Sequence, residues 1–321
     1  MSTGVMFPHI FRRHTTHSIM LCVAIALLPI MGWIVALYGE AVLISLQYFL
    51  LWCLVWELMA NAVVRRFTLS NGSGLVPALI LTLSFPPHLS MVMVAQISFV
   101  AIILGKWIFG GLGFNLVNPA MLGRSYAWLA WPEIFENNLA INLDNSVVKV
   151  VMDVFKVKVQ TPDAPVFWGG HMDPLANVSL ALLLLGALWL LAVHVLPWLV
   201  SLTYLVSFIL MMGVLQREMP TLPFIMGQIG WPSIVFVAFF MATDMAMLPG
   251  TWRGRGIYGF VMGMLTAVLM MTMRHEVAVM TGLLIVNLMA PFIADITMSE
   301  PFSLSSKELR KTLKEERYVL T

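Results

Sequence analysis

Charge is what this sequence lacks most. Of 321 residues, 18 are Lys or Arg and 16 are Asp or Glu, 11% in all. A soluble domain carries roughly 25% charged residues. Too few polar side chains remain here to cover a water-exposed surface, which excludes an ordinary soluble domain. The formal net charge is only +2, so there is no case for nucleic acid binding. Cysteine is equally scarce: Cys22 and Cys53 lie inside separate apolar segments and read as core packing. No CxxC occurs, so the chain supplies no recognisable cysteine-ligated iron–sulfur or zinc centre.

What is present is hydrophobicity. Apolar residues make up 60% of the chain, and runs such as 18–38, 41–64 and 276–296 reach the length of about 20 residues that spans a ~30 Å hydrocarbon core. The pattern predicts an all-α polytopic membrane protein. Its helices are expected near 18–38, 41–64, 70–85, 90–109, 118–132, 177–196, 199–215, 223–247, 256–273 and 276–296. The third and fifth are short enough to be re-entrant segments, which is tolerated only where free backbone faces protein or water. The first seventeen residues, ending in Arg12, Arg13, His14 and His17, resemble the basic start of a signal peptide. The apolar segment behind them is too long and has no small-residue cleavage site, so it reads as a retained first helix.

The basic residues orient this arrangement. With the N-terminus in the cytoplasm, the inner segments hold Arg12, Arg13, Arg65, Arg66, Lys106, Arg124, Arg253, Arg255, Lys307, Arg310, Lys311, Lys314 and Arg317. The outer side receives Lys149, Lys156, Lys158, Arg217 and Arg274. Both termini are thus expected inside. The chain divides into a first five-helix block (1–132), a net acidic outer loop (133–175), a second five-helix block (176–297) and a basic cytoplasmic tail (298–321). The third helix of each block is interrupted: Pro77, Pro86 and Pro87 in the first, Gly227, Gly230 and Pro232 in the second. Interruptions at matching positions point to an inverted repeat with a site between the halves; coincidence is the plainer alternative, since Gly and Pro are common in membrane helices.

Chemistry concentrates in two stretches. Residues 110–121, GGLGFNLVNPAM, combine Gly111 and Gly113, which allow tight turning and close approach, with the amides of Asn115 and Asn118. Pro119 sits where a helix can begin. No strand–turn–helix context makes this a dinucleotide fingerprint; it reads as a turn at the membrane interface or as a ligand site. The second stretch places Asp244 near the end of an apolar helix, ahead of Arg253 and Arg255 in GTWRGRG. Intramembrane carboxylates are costly and point to function, so Asp244, and Glu57 in the second helix, are candidates for an ion pathway. The plainer reading of Asp244 is a cap, or a pairing with Arg253 or Arg255.

These stretches carry a resemblance. GGLGFNLVNPAML looks like the signature of the NqrB/RnfD family, whose members are RnfD of the Rnf electron-transport complex and its relative NqrB of the sodium-pumping NADH:quinone oxidoreductase. FPHIFRRHTTHSIML, NGSGLVPALILTLSFPP, FFMATDMAMLPGTWRGRGIYGFVMG and LLIVNLMAPFIAD resemble further family segments in the right order. The likeness is to RnfD in particular. The resemblance implies about ten transmembrane helices in two inverted five-helix repeats, similar to urea transporters. It implies a membrane component of an ion-translocating, flavin-dependent electron-transport complex in the bacterial cytoplasmic (inner) membrane, coupled to sodium or proton movement. Other membrane and peripheral subunits, including iron–sulfur and flavin subunits, would be its partners, alongside the lipid bilayer. It implies FMN joined through its phosphate to a threonine in a Ser-Gly-Ala-Thr motif of the long loop, with a second, non-covalent flavin such as riboflavin as a further expectation. This sequence departs from that motif. The nearest counterpart is VKVQTPDAP, in which Thr161 is followed by Pro162, and Thr161 is the only threonine of the loop. The cofactor candidates are therefore Thr161 for covalent FMN, with Gly111, Gly113, Asn115, Asn118, Arg253 and Arg255. A scaffold that has lost the covalent flavin, or a non-redox transporter or channel subunit of the same fold, is the alternative.

Overall fold

The computed structural model describes residues 15–65, 71–87, 89–135, 179–219, 221–229 and 232–297. Every regular element among them is helical. In the first half these are α1 (Thr16–Tyr38), α2 (Glu40–Val64), α3 (Leu75–Ser84), α4 (Met91–Phe99) and α5 (Pro119–Ala130). The second half holds α6 (Leu180–Ala192), α7 (Trp198–Gln216), α8 (Leu222–Ile229), α9 (Pro232–Phe236), α10 (Trp252–Met270) and α11 (His275–Thr297). Five described stretches are long and apolar enough to cross a bilayer: Thr16–Ala36, Glu40–Val64, Met91–Phe109, Trp198–Gln216 and His275–Thr297. Leu21, Leu28, Leu188, Leu210 and Phe292 point out of the bundle, as lipid-facing side chains must. The chain is therefore a multi-pass helical membrane protein.

Helix starts follow local chemistry. Thr15, Ser90, Asn118, Ser179 and Thr251 each accept a backbone N–H of the first turn through a side-chain oxygen, the N-cap arrangement that satisfies otherwise orphaned donors. Asn118 does so for α5, whose first residue is Pro119. That is where proline costs no hydrogen bond.

Two helices depart from a regular course. The expected helix 90–109 is α-helical only to Phe99; Val100–Leu104 is π-helical and Trp107–Phe109 a single 3₁₀ turn. The expected helix 223–247 divides into α8, α9 and a π-helical stretch, Val237–Met241, and regular structure ends there. In each π stretch the closing N–H reaches five residues back, Gly105 to Val100 (2.9 Å) and Ala242 to Val237 (2.8 Å). Such widened turns mark functional positions in helices. They fall in the fourth segment of the first half and the third of the second, so the irregular segments are one place out of step with the matching positions read from Gly and Pro.

The closest helix pair is α7 with α10. A Cβ on Gly259 or Gly263 would run into Thr203, Tyr204 and Ser207 of α7. Without a hydrophobic force between helices in lipid, small residues that admit this approach supply the packing. Elsewhere α1 packs on α6 and α5 on α11, so both contacts join the two halves.

The loop 136–178, with Thr161, and the tail 298–321 lie outside the described residues.

Candidate functional site

Both π stretches deliver their polar motifs to one place. A cavity of about 250 Å³ lies between the halves, lined by Met20 of α1, Val76 of α3, Gly113 and Asn118 of the Gly-Asn-Pro stretch, and Thr243 and Asp244. Beyond Asn118 and Asp244 a smaller pocket of about 30 Å³ continues to Ser73, Lys106 and Asn115. A third cavity, about 180 Å³, runs from Asn115 past Pro249 to Asn287 and Pro291.

The Gly-Asn-Pro stretch is shaped by three glycines at positive φ, Gly110, Gly111 and Gly113 (113°, 97° and 93°). That region is costly for residues with a Cβ. Gly113 has open space where a Cβ would sit, whereas Gly111 lies against the Trp107 ring. Asn118 uses both ends of its amide. Its Oδ1 accepts from Met121 N (3.3 Å) and its Nδ2 donates to Met241 O (3.5 Å). The second contact joins the Gly-Asn-Pro stretch to the π stretch of the opposite half. Asn115 is buried and its Oδ1 accepts no hydrogen bond from the protein. Buried polar atoms are rarely left so, and this one borders both smaller cavities.

Glu57 sits in a built charge centre. Lys106 Nζ lies 2.7 and 2.8 Å from its two carboxylate oxygens and 2.7 Å from Ser73 Oγ. Ser73 Oγ donates to Glu57 Oε1 (3.2 Å), and Trp107 Nε1 donates to Glu57 Oε2 (3.3 Å). Glu57 and Lys106 are each 1% exposed. A buried pair persists only with such geometry and added hydrogen bonds. Lys106 and Arg124 were both assigned to inner segments on sequence. Instead, each is buried and ion-paired within the bundle, Arg124 with Glu276 at 2.9 Å. They leave the loop charge comparison, since neither is free to lie at a membrane surface.

Asp244 is half-buried, and its Oδ1 accepts from Ala246 N (3.1 Å), closing a short turn. It does not pair with Arg253 or Arg255. Arg255 Nε donates to Pro249 O (3.2 Å) and Arg253 is exposed; neither lines the cavities described above. The structure thus brings Gly113, Asn115, Asn118 and Asp244 together, places Glu57 one residue away through Lys106, and leaves Gly111, Arg253 and Arg255 at the edges. Lys106, Ser73 and Asn287 were missed on sequence. Tyr258 donates its hydroxyl to Asn287 Oδ1 while Asn287 Nδ2 has no partner. The one signal for Asn287 was its place as the amide within the apolar run LLIVNLMAPF.

A helical membrane protein with a polar, charged centre buried where two helix blocks meet is the class that fold and site define. The model of the NQR2, RnfD, RnfE family matches residues 5–303, and the chain belongs to that family. It is 27% identical to the D subunit of the Na(+)-translocating ferredoxin:NAD(+) oxidoreductase complex of Acetobacterium woodii, covering 93% of this chain and 94% of that one. It is 26% identical to the D subunit of the proton-translocating ferredoxin:NAD(+) oxidoreductase complex of Clostridium ljungdahlii (92% and 94%). The D subunit of the ion-translocating oxidoreductase complex of Haemophilus ducreyi is 27% identical (91% and 96%).

Proposed function

We propose that the chain is the RnfD-type membrane subunit of an Rnf complex, passing electrons through flavin and coupling them to sodium or proton movement. The observation that carries this reading is the convergence of both π stretches on one polar cavity between the halves, in a chain whose relatives are named as subunits of ion-translocating oxidoreductases. One relative is named for sodium and another for protons, so the names leave the coupling ion open. The two π stretches, each followed by a cavity-lining motif, support the inverted-repeat architecture with ten crossings and both termini in the cytoplasm. The partners are then the other membrane and peripheral subunits, which supply the iron–sulfur centres.

The cavity's residues fit a non-covalent flavin such as riboflavin. Its ~250 Å³ is close to the lower end of the roughly 300–1,000 Å³ usual for small-molecule sites. The aromatic rings of Phe239 and Phe240, the Cβ-free approach at Gly113 and the amide of Asn118 supply apolar walls with few polar contacts. When bound, a flavin supplies the one- and two-electron chemistry that these side chains lack. What the chain itself contributes is orientation, exclusion of water and a fixed charge pattern. Thr161 would hold covalent FMN. The missing Ser-Gly-Ala-Thr motif favours a second reading, a scaffold or non-redox transporter of the same fold. Absorbance of the purified protein separates the two: a flavin band is expected, and its absence in wild type leaves the scaffold.

A further inference from the structure

Lys106 occupies a position that an inorganic cation also fits. All three N–H donors of its ammonium are taken by oxygen: Oε1 and Oε2 of Glu57 and Oγ of Ser73, at 2.7–2.8 Å. An oxygen-only shell of this kind suits a hard cation as well as an ammonium. The lysine arrives there directly from the π stretch. Gly105 is pressed so closely between Ala101 O and Pro119 that a Cβ would clash with both, which fixes where the Lys106 stem begins. On the other side of Lys106 lies the small pocket of about 30 Å³ that it shares with Asn115 and Asp244. That volume is about one water's share of the liquid. The Asn115 Oδ1 at its edge is buried and accepts nothing from the protein. A flexible four-carbon stem carrying a compact charge therefore has a second set of oxygen acceptors beside the first, on the far side of the pocket and belonging partly to the opposite half.

We propose that Lys106 is the resident cation of a monovalent alkali-cation site formed by Glu57 and Ser73, and that binding of the cation hands the ammonium over to Asp244 and Asn115 Oδ1. The exchange keeps one positive charge beside Glu57 throughout and moves another from the first half toward the second. No bond is made or broken and no proton leaves the lysine. The assignment rests on the ion-translocating reading and names the residue that makes cation entry at Glu57 conditional on Asp244. Lys106 is thus a specificity-determining residue, because any occupant must compete with an ammonium for the same three oxygens.

Na⁺ binding by the complex isolated from membranes tests this, measured by equilibrium dialysis with radioactive sodium. Lys106→Met removes the competitor and should tighten Na⁺ binding at least tenfold. Asp244→Asn removes the second station and should weaken binding at least tenfold, but only while Lys106 is present; in the Lys106→Met background it should change nothing. Binding no tighter in Lys106→Met, or the same Asp244→Asn effect in both backgrounds, overturns the proposal. If Lys106→Met fails to assemble, wild type still decides. Its Na⁺-induced infrared difference spectrum should contain two carboxylate bands, one lost in Glu57→Gln and one in Asp244→Asn. A Glu57 band alone, or no band, overturns it equally. Flavin content and electron transfer followed in the same preparations report on the parent reading. Their absence with the predicted Na⁺ pattern intact would remove the redox role and uphold the lysine assignment.

Discussion

Arg124 on α5 and Glu276 on α11 form an ion pair of 2.9 Å across the two halves of the bundle. Arg124 also lies over the Phe135 ring, 5.7 Å from its centre, so its charge is held on two sides. Removing one partner of a buried pair costs about 3–5 kcal/mol, because the other charge is stranded. Glu276 is more exposed than Arg124, at 13% against 6% for the side chains, which places the cost toward the low end. Glu276→Gln is expected to lower the midpoint of thermal unfolding in detergent, and Arg124→Met more so. The swap Arg124→Glu with Glu276→Arg should recover part of the loss. Independent, additive losses with no recovery would show that the pair does not hold the halves together.

Asn118 can be dissected by its two contacts. Asn118→Asp keeps an oxygen to cap α5 but loses the Nδ2 donor to Met241 O; Asn118→Leu loses both. The cap is worth about 1 kcal/mol, and a buried acceptor left unmade about 1–3 kcal/mol. Asn118→Leu is expected to reduce bound flavin or the yield of assembled complex, with Asn118→Asp intermediate. Wild-type flavin content and yield in Asn118→Leu would reduce the stretch to a turn.

Gly263 faces the α7 backbone so closely that any side chain meets Ser207 and the Tyr204 carbonyl. Overpacking a tight contact costs typically about 1–3 kcal/mol, and here the obstacle is backbone, which cannot rotate away. Gly263→Val should collapse the yield of monodisperse protein by size-exclusion chromatography. Gly227, with open space at its Cβ position, is the control, and Gly227→Ala should be tolerated. Equal yields from both would sink this account of the α7–α10 contact.

Thr161 is the sharpest test of covalent flavin. A phosphoester needs a hydroxyl, so Thr161→Ala should abolish flavin fluorescence retained in a denaturing gel, and Thr161→Ser should keep some of it. The tryptic peptide 159–217 of wild type should carry the mass increment of FMN. Insertion should be unaffected, since substitutions away from packed features change stability by about 0.5 kcal/mol or less. An unmodified wild-type peptide ends the assignment at this residue.

The helices were legible in the sequence because lipid enforces a simple rule: backbone must be satisfied within its own segment and side chains must be apolar. Each of the ten expected segments contains helix in the structure, and the start of α5 at Asn118-Pro119 followed from capping chemistry. Lys106 was not legible. It stands at the end of an apolar run, where a basic residue ordinarily marks the membrane surface, and its partner Glu57 is 49 positions away. Only the folded bundle brings them together. The cavity's polar members were found because glycine, asparagine and carboxylate stand out against an apolar background. Arg253 and Arg255 stand out equally and line none of these cavities, so conspicuousness alone did not separate a cavity wall from a helix start.

The two π stretches were invisible for a different reason. A widened turn holds one residue more than an α-helix needs and leaves hydropathy unchanged. That extra residue sets direction. Each α-helical residue turns the chain by about 100°, so deleting one residue from Val100–Leu104 would swing everything beyond it round the helix axis by that angle. Lys106 would then point away from Glu57, and the asparagines away from the opposite half. The same holds for Asp244 beyond Val237–Met241. The side chains in these stretches are ordinary apolar ones, interchangeable as far as aim is concerned. Their number is not, and a one-residue deletion there would be graver for the site than most substitutions within it.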